Sequence, residues 1–280
     1  MPSLPVIEPR DVRHAKNAPN GGAFDEGTIA PAKDPLEDAY YDYLVRLGDD
    51  SLILGQRLSE WCGHAPGLEV DLSLANLALD LIGQATHLLN KANNDDGDEL
   101  AFHRDGLDYK NCWLVEQPNG DFARTIARQT LFSTYQHLLY RELSASPDPF
   151  LAGLAAKAVK EVAYHRELAA DWTIRLGDGT DESARRMAEG LDWCWRFIPE
   201  LFEVDAVLEG LIERGIAADP RLFEAEYRAE LRRVLGEANL DAPKDQRPIL
   251  GGRRGHHSEH LGHLLAVMQH IPRSFPDAIW

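Results

Sequence analysis

Val70-Asp71-Leu72-Ser73-Leu74-Ala75-Asn76-Leu77-Ala78-Leu79-Asp80-Leu81-Ile82-Gly83-Gln84-Ala85-Thr86-His87-Leu88-Leu89-Asn90-Lys91-Ala92 is the stretch that decides the fold. Leu72, Leu74, Leu77, Leu79, Leu81, Ile82, Leu88 and Leu89 nearly encircle a helix drawn over 70–92. Apolar side chains on all sides predict a buried helix at the centre of its domain.

The neighbouring segments read the same way. Upstream, Ala39, Tyr40, Tyr43, Leu44, Leu47, Leu52, Leu54, Leu58 and Trp61 mark a helix that begins near Leu36. Cys62-Gly63-His64-Ala65-Pro66-Gly67 ends it, since glycine accepts a left-handed cap and proline cannot continue a helix. Downstream, Asn93-Asn94-Asp95-Asp96-Gly97 is a turn, and one or two short helices follow within 98–120. Asp121 caps a helix to about Leu143, and Ser146-Pro147-Asp148-Pro149 separates it from another over 150–176. A helix over 182–213 is expected to kink at Pro199. Asp219-Pro220 opens one that runs to about Ala238, 239–255 is loop, and a short helix over 257–271 follows. There is no strand-like alternation, no 20–50-residue repeat and no glycine-rich phosphate loop. The expectation is an all-α bundle with accessory helices in one domain over 36–280. Residues 1–35 hold six prolines and no sustained apolar period, and read as a disordered or extended N-terminal arm.

Composition narrows the function. The 280-residue chain is 44% hydrophobic, enough for a substantial core. Its 29 basic and 46 acidic residues give a formal charge of −17, which repels nucleic acid and anionic membranes, so neither is an expected partner. Cys62, Cys112 and Cys194 are few, odd in number and far apart, as expected of reduced thiols rather than a disulfide framework or zinc ribbon. No apolar run approaches a membrane span, and Met1-Pro2-Ser3-Leu4-Pro5 lacks a secretory pattern, so a cytoplasmic location is expected.

Long helical bundles house carboxylate-bridged di-iron centres when they carry two Glu-x-x-His pairs and a glutamate on each of two more helices. No glutamate in this chain stands three residues before a histidine. Asp80 has Gly83 where a histidine ligand would be expected, and His165 has Val162 where a glutamate would be. Glu161 is one position off, roughly 100° around the helix. The ligand pairs are therefore degenerate, and Asp80, Lys160, Glu161 and His165 read instead as a buried polar network. His257, His260 and His263, with His256 and Glu259 beside them, form a ladder open to two readings: an open zinc site, or capping and an interface. Arg253 and Arg254 make a local basic patch, either a solvated loop or a contact for an anionic small molecule's phosphates. Glu60/His64, Glu99/His103 and Glu161/His165 have the spacing of helix-surface ion pairs. Two aromatic clusters, Trp193, Trp195, Phe197 and Phe202, and Tyr40, Tyr41 and Tyr43, are read as core, with a partner interface as the alternative.

Longer stretches carry a resemblance. They include Gln56-Arg57-Leu58-Ser59-Glu60-Trp61-Cys62-Gly63-His64-Ala65-Pro66, Leu79-Asp80-Leu81-Ile82-Gly83-Gln84-Ala85, Val115-Glu116-Gln117-Pro118-Asn119-Gly120-Asp121-Phe122-Ala123, Val159-Lys160-Glu161-Val162-Ala163-Tyr164-His165 and Gly255-His256-His257-Ser258-Glu259-His260-Leu261-Gly262. From about Ala39 to Trp280 the chain resembles the family of structural (C) subunits of the multicomponent phenylacetyl-CoA epoxidases, the ring-epoxidising monooxygenases of phenylacetate degradation. The resemblance implies a ferritin-like fold and a non-catalytic role without metal of its own. It implies a hetero-oligomer with a homologous catalytic di-iron subunit, a small subunit, and a reductase carrying FAD and an iron–sulfur centre. In that picture the holoenzyme uses NADPH and O2 to form the 1,2-epoxide of phenylacetyl-CoA. Two other readings stay open: a stand-alone ferritin-like metalloprotein and an acyl-CoA-binding module.

Overall fold

The computed structural model describes residues 35–276 and 278, so the expected N-terminal arm, except for Pro35, lies outside the described residues. Twelve α-helices and no strands are present among them. Four are long: α1 (Pro35–Ser59), α2 (Leu68–Ala92), α5 (Phe122–Leu143) and α6 (Pro149–Gly177). Between α2 and α5 run the short α3 (Gly97–Phe102) and α4 (Trp113–Glu116). After α6 come α7 (Asp181–Trp195), α8 (Ile198–Leu201), α9 (Ala206–Ile212), α10 (Glu224–Glu237), α11 (Glu259–Met268) and α12 (His270–Ser274).

The long helices start where the sequence places caps. Asp121 accepts from Arg124 N, and Asp148 accepts from Leu151 N with Pro149 in the first turn. α1 packs along α2 and α5 along α6, and the two pairs enclose one core. Gly48 and Gly55 let α1 approach closely: a Cβ would meet Leu89 at the first and Ile82 at the second.

The centre of the bundle differs from the sequence expectation. Every residue of α1 from Tyr43 to Gly55 is buried, Arg46, Asp49, Asp50 and Ser51 included. α2 is buried on one side only, and leaves Leu68, Leu72 and Leu79 72%, 57% and 66% exposed. Apolar count therefore misjudges both helices, because α1 buries charge against fixed partners while α2 shows leucine to solvent. The 182–213 segment is three helices rather than one kinked helix. Pro199, without an N–H to give, sits in the first turn of α8, and Asp205 caps a fresh start at α9 by accepting from Leu208 N. The expected 257–271 helix begins two residues later and breaks before His270.

Buried carboxylates hold the accessory segments on the bundle. Asp49 takes Arg104 in a two-pronged ion pair and also accepts from Lys110 N. Asp50 accepts from Cys112 N and from Arg253 Nη2 at 2.7 Å. Glu200 accepts from the backbone N–H groups of Trp113, Gly251 and Gly252. Gly252 is pressed so close to Asn111 O that a Cβ would stand 2.3 Å from it. Glu116 receives Ser258 N, Asn111 Nδ2 and His257 Nδ1, while His257 Nε2 points at Tyr109 O. Both imidazole nitrogens thus face acceptors, an arrangement that favours the doubly protonated ring.

Two outcomes follow. Glu200→Ala strands three backbone N–H groups and should cost roughly 3–5 kcal/mol in urea unfolding. For His257, burial pulls the pKa down, but the Glu116 bond outweighs it and the net shift is upward. A histidine raised in the folded state stabilises fully below about pH 6.5, and that contribution is lost as pH rises through its folded pKa. Unfolding midpoints should therefore fall as pH rises above about 6.5 and through the folded pKa in the parent chain, and His257→Gln should flatten that slope.

Candidate functional site

Polar side chains from all four long helices meet inside the bundle. Gln136 Nε2 on α5 lies 3.5 Å from Ser51 Oγ on α1, 3.3 Å from Gln84 Oε1 on α2 and 3.5 Å from Tyr140 Oη. Tyr140 donates to Gln84 Oε1 at 3.3 Å, and Gln84 Nε2 donates to Glu161 Oε2 on α6 at 3.2 Å. Nearby, His165 Nε2 donates to Asp80 Oδ2 across 3.0 Å, joining α6 to α2. Burial pushes the Tyr140 phenol up to about 12, so it stays protonated and donates.

This is the place where a four-helix bundle holds a carboxylate-bridged metal pair. The donor set does not fit one. Two carboxamides, a hydroxyl and a phenol stand around a single carboxylate, Glu161, and neutral groups cannot balance two iron ions. Buried polar atoms without a partner include Gln136 Oε1, Ser133 Oγ and His165 Nδ1. No three His, Cys, Asp or Glu side chains gather as a metal site among the described residues.

The expected site residues are distributed in an informative way. Val162 and His165 both face the core and are fully buried. Gly83 does not: it is on the exposed side of α2, and the inward residue is Gln84, one position and about 100° further round. Of the two positions on that helix, Asp80 reaches His165 and Gly83 faces outward. Lys160 is exposed, and Lys157 takes its expected place 3.7 Å from Glu161. The spacing-based ion pairs are replaced by others: Glu60 is engaged by Arg57 and Asn119, His64 lies against Cys62 O, and Glu161 is engaged by Gln84. Arg253 is turned inward onto Asp50, and Arg254 is paired with Glu203, so neither guanidinium forms an open basic patch. The histidine ladder is not one helical face either. His257 precedes α11 and binds Glu116, while His260 and His263 lie within α11, and His260 lends its carbonyl to Arg57. Phe197, Phe202 and Tyr43 are core, while Trp193 and Tyr41 are exposed, with Arg124 stacked on the Trp193 ring. Gln136 escapes a reading of the sequence, since an isolated glutamine has no motif.

Beside the cluster, α2 and α6 diverge around a cleft of about 460 Å³. Leu79, Asp80 and Gly83 line one wall, and Phe150, Lys157 and Glu161 the other. Among the described residues no helix is long and apolar enough to cross a membrane.

Paired helical hairpins with polar residues from four helices converging at mid-bundle define an all-α, ferritin-like helical protein. The chain belongs to the phenylacetic acid catabolic protein family, which its residues 28–280 match. That match begins before Ala39, where the resemblance carried by the sequence starts. The chain is 48% identical over 242 residues to the C subunit of the 1,2-phenylacetyl-CoA epoxidase of Escherichia coli (strain K12), covering 85% of this chain and 98% of that one.

The interior cluster makes a measurable claim. Gln84→Leu removes the shared partner of Gln136, Tyr140 and Glu161, and should lower stability by roughly 1–3 kcal/mol in urea. Gln84→Glu should cost more than the leucine variant, because it sets a buried carboxylate against the half-buried Glu161.

Proposed function

We propose that this chain is the non-catalytic structural subunit of a phenylacetyl-CoA epoxidase complex, docked on a homologous subunit that carries the di-iron centre. The observation that carries this reading is the Gln84–Gln136–Tyr140 cluster, which sets neutral amides and a phenol at mid-bundle, where a metal bundle would need anionic ligands. The 48% identity to the C subunit of an epoxidase supports the assignment of the complex. In that complex the chemistry belongs to the partner: its iron activates O2, and a reductase with FAD and an iron–sulfur centre delivers electrons from NADPH. The assembly is completed by a small subunit.

This chain's contribution is mechanical. A catalytic bundle has to part its helices to admit an acyl thioester, and an opened core is weakened. A rigid homologous bundle alongside restores support if the shared interface buries enough surface, about 800 Å² on each side. The interior described above supplies rigidity, with each of four helices tied to its neighbours by side-chain hydrogen bonds rather than by a removable ion.

The test separates the roles. The isolated chain, purified and exposed to ferrous iron, should hold far less than one iron per chain and should not oxidise phenylacetyl-CoA with reductase and NADPH. Co-expressed with its homologous partner, it should co-purify as one complex by mass, and that complex should form the epoxide. An isolated chain carrying about two irons and turning over substrate overturns the proposal.

A further inference from the structure

The cleft between α2 and α6 encloses about 460 Å³, the size of a small-molecule site rather than of a packing defect. An apolar cavity of about 150 Å³ takes one benzene ring, so this one has room for two fused rings and a short substituent. Leu79 stands on the α2 wall, 66% exposed, and Phe150, Leu154 and Ala158 stand on the α6 wall. Each wall also carries a glycine, Gly83 and Gly153, and a Cβ built on either would meet nothing within 4 Å. At these two notches a flat group can approach the backbone more closely than any side chain would allow.

The charges of the cleft select against an ion. Asp80 and Glu161 line it together with Lys157, Lys91 lies over the Phe150 ring, and His87 is exposed on the α2 wall. The two carboxylates and the two ammonium groups cancel. Each carboxylate is already engaged: Asp80 Oδ2 with His165 Nε2 at 3.0 Å, and Glu161 with Gln84 Nε2 at 3.2 Å and Lys157 Nζ at 3.7 Å. Gln84 Oε1 is taken by Gln136 and Tyr140. A charged ligand entering here gives up hydration beside apolar walls and meets no unmatched charge in return. An uncharged ring system gives up little and removes the Leu79 and Phe150 side chains from water.

One polar function remains open. Asp80 gives only Oδ2 to His165, and its Oδ1 carries no hydrogen bond among the described residues. His165 is fully buried, so the carboxylate it holds has a fixed place at the wall. A carboxylate oxygen accepts and does not donate, so Oδ1 takes a hydroxyl or an N–H from a ligand.

We propose that the α2–α6 cleft binds an uncharged two-ring aromatic molecule, of the naphthol or indole kind, whose hydroxyl or N–H donates to Asp80 Oδ1 while its rings lie between Leu79 and Phe150 and over Gly83 and Gly153. The site is independent of the structural-subunit reading, since every group it uses belongs to this chain.

Calorimetry on the full chain at neutral pH tests it with probes that share one ring system. 2-Naphthol should bind at a single site per chain. 2-Methoxynaphthalene, which has no proton to donate, should bind roughly three- to tenfold more weakly. 2-Naphthoate and 2-naphthylmethylammonium should bind at least about tenfold more weakly, because each brings an unmatched charge. Gly83→Leu and Gly153→Leu fill the notches and should each weaken 2-naphthol by about tenfold or more. Leucine forms helix better than glycine, so helicity and melting midpoint should not fall in either variant. The proposal is overturned if 2-naphthol does not bind, if the methoxy probe or either ion binds as tightly, or if both leucine variants bind 2-naphthol like the parent.

Discussion

Two consecutive carboxylates in the middle of α1, Asp49 and Asp50, are the constraint on which the accessory structure depends. Neighbouring helical residues diverge by about 100°, so the pair reaches in two directions. Asp49 holds Arg104 and the backbone at Lys110, and Asp50 holds Arg253 and the backbone at Cys112. Burial pushes the Asp49 pKa up, against the Arg104 charge. For Arg253 burial pulls the pKa down, but Asp50 more than offsets it and the guanidinium stays charged. Such pairs contribute little over a well-packed apolar substitute, yet removing one partner costs roughly 3–5 kcal/mol. Their effect is therefore to specify where the 104–112 and 250–258 segments lie. With those segments in place, Glu200 and Glu116 find the backbone groups they bind.

The frame leaves the bundle interior free of the usual electrostatic demand for a metal. Gln84, Gln136, Tyr140 and Ser51 can satisfy one another as neutral groups, and Glu161 is the only anion they need to accommodate. Rigidity at mid-bundle then comes from hydrogen bonds that require no cofactor loading.

Much of this is legible in the sequence, and the failures have physical causes. The four long helices, their proline and aspartate boundaries and the missing ligand pairs follow from periodicity and spacing. The centrality of α1 does not, because a pattern scan scores Arg46, Asp49 and Asp50 as solvent residues, and their burial is made tolerable chiefly by partners distant in sequence: Arg104, Arg253, Asp205 and the backbone at Lys110 and Cys112. That Gln84 rather than Gly83 faces inward is not legible, since a helix with leucines on every side offers no polar stripe to orient it. Arg253 reads as part of a basic loop for a similar reason: its partner lies 203 residues away. The split at Pro199 reads as a bend because the aspartate that caps the next helix, Asp205, stands well beyond the proline.

That 203-residue separation has a consequence for synthesis. A ribosome adding about 5–20 residues per second needs on the order of 10–40 s to travel from Asp50 to Arg253. During that interval the helical hairpins can assemble, but a carboxylate meant for the interior has no counter-ion. Until Arg253 is made, Asp50 in α1 lacks the guanidinium that it pairs with in the folded protein. Chains released early, short of the Gly251–Ser258 turn, would carry an unpaired anion in their core and be directed to quality control rather than to assembly.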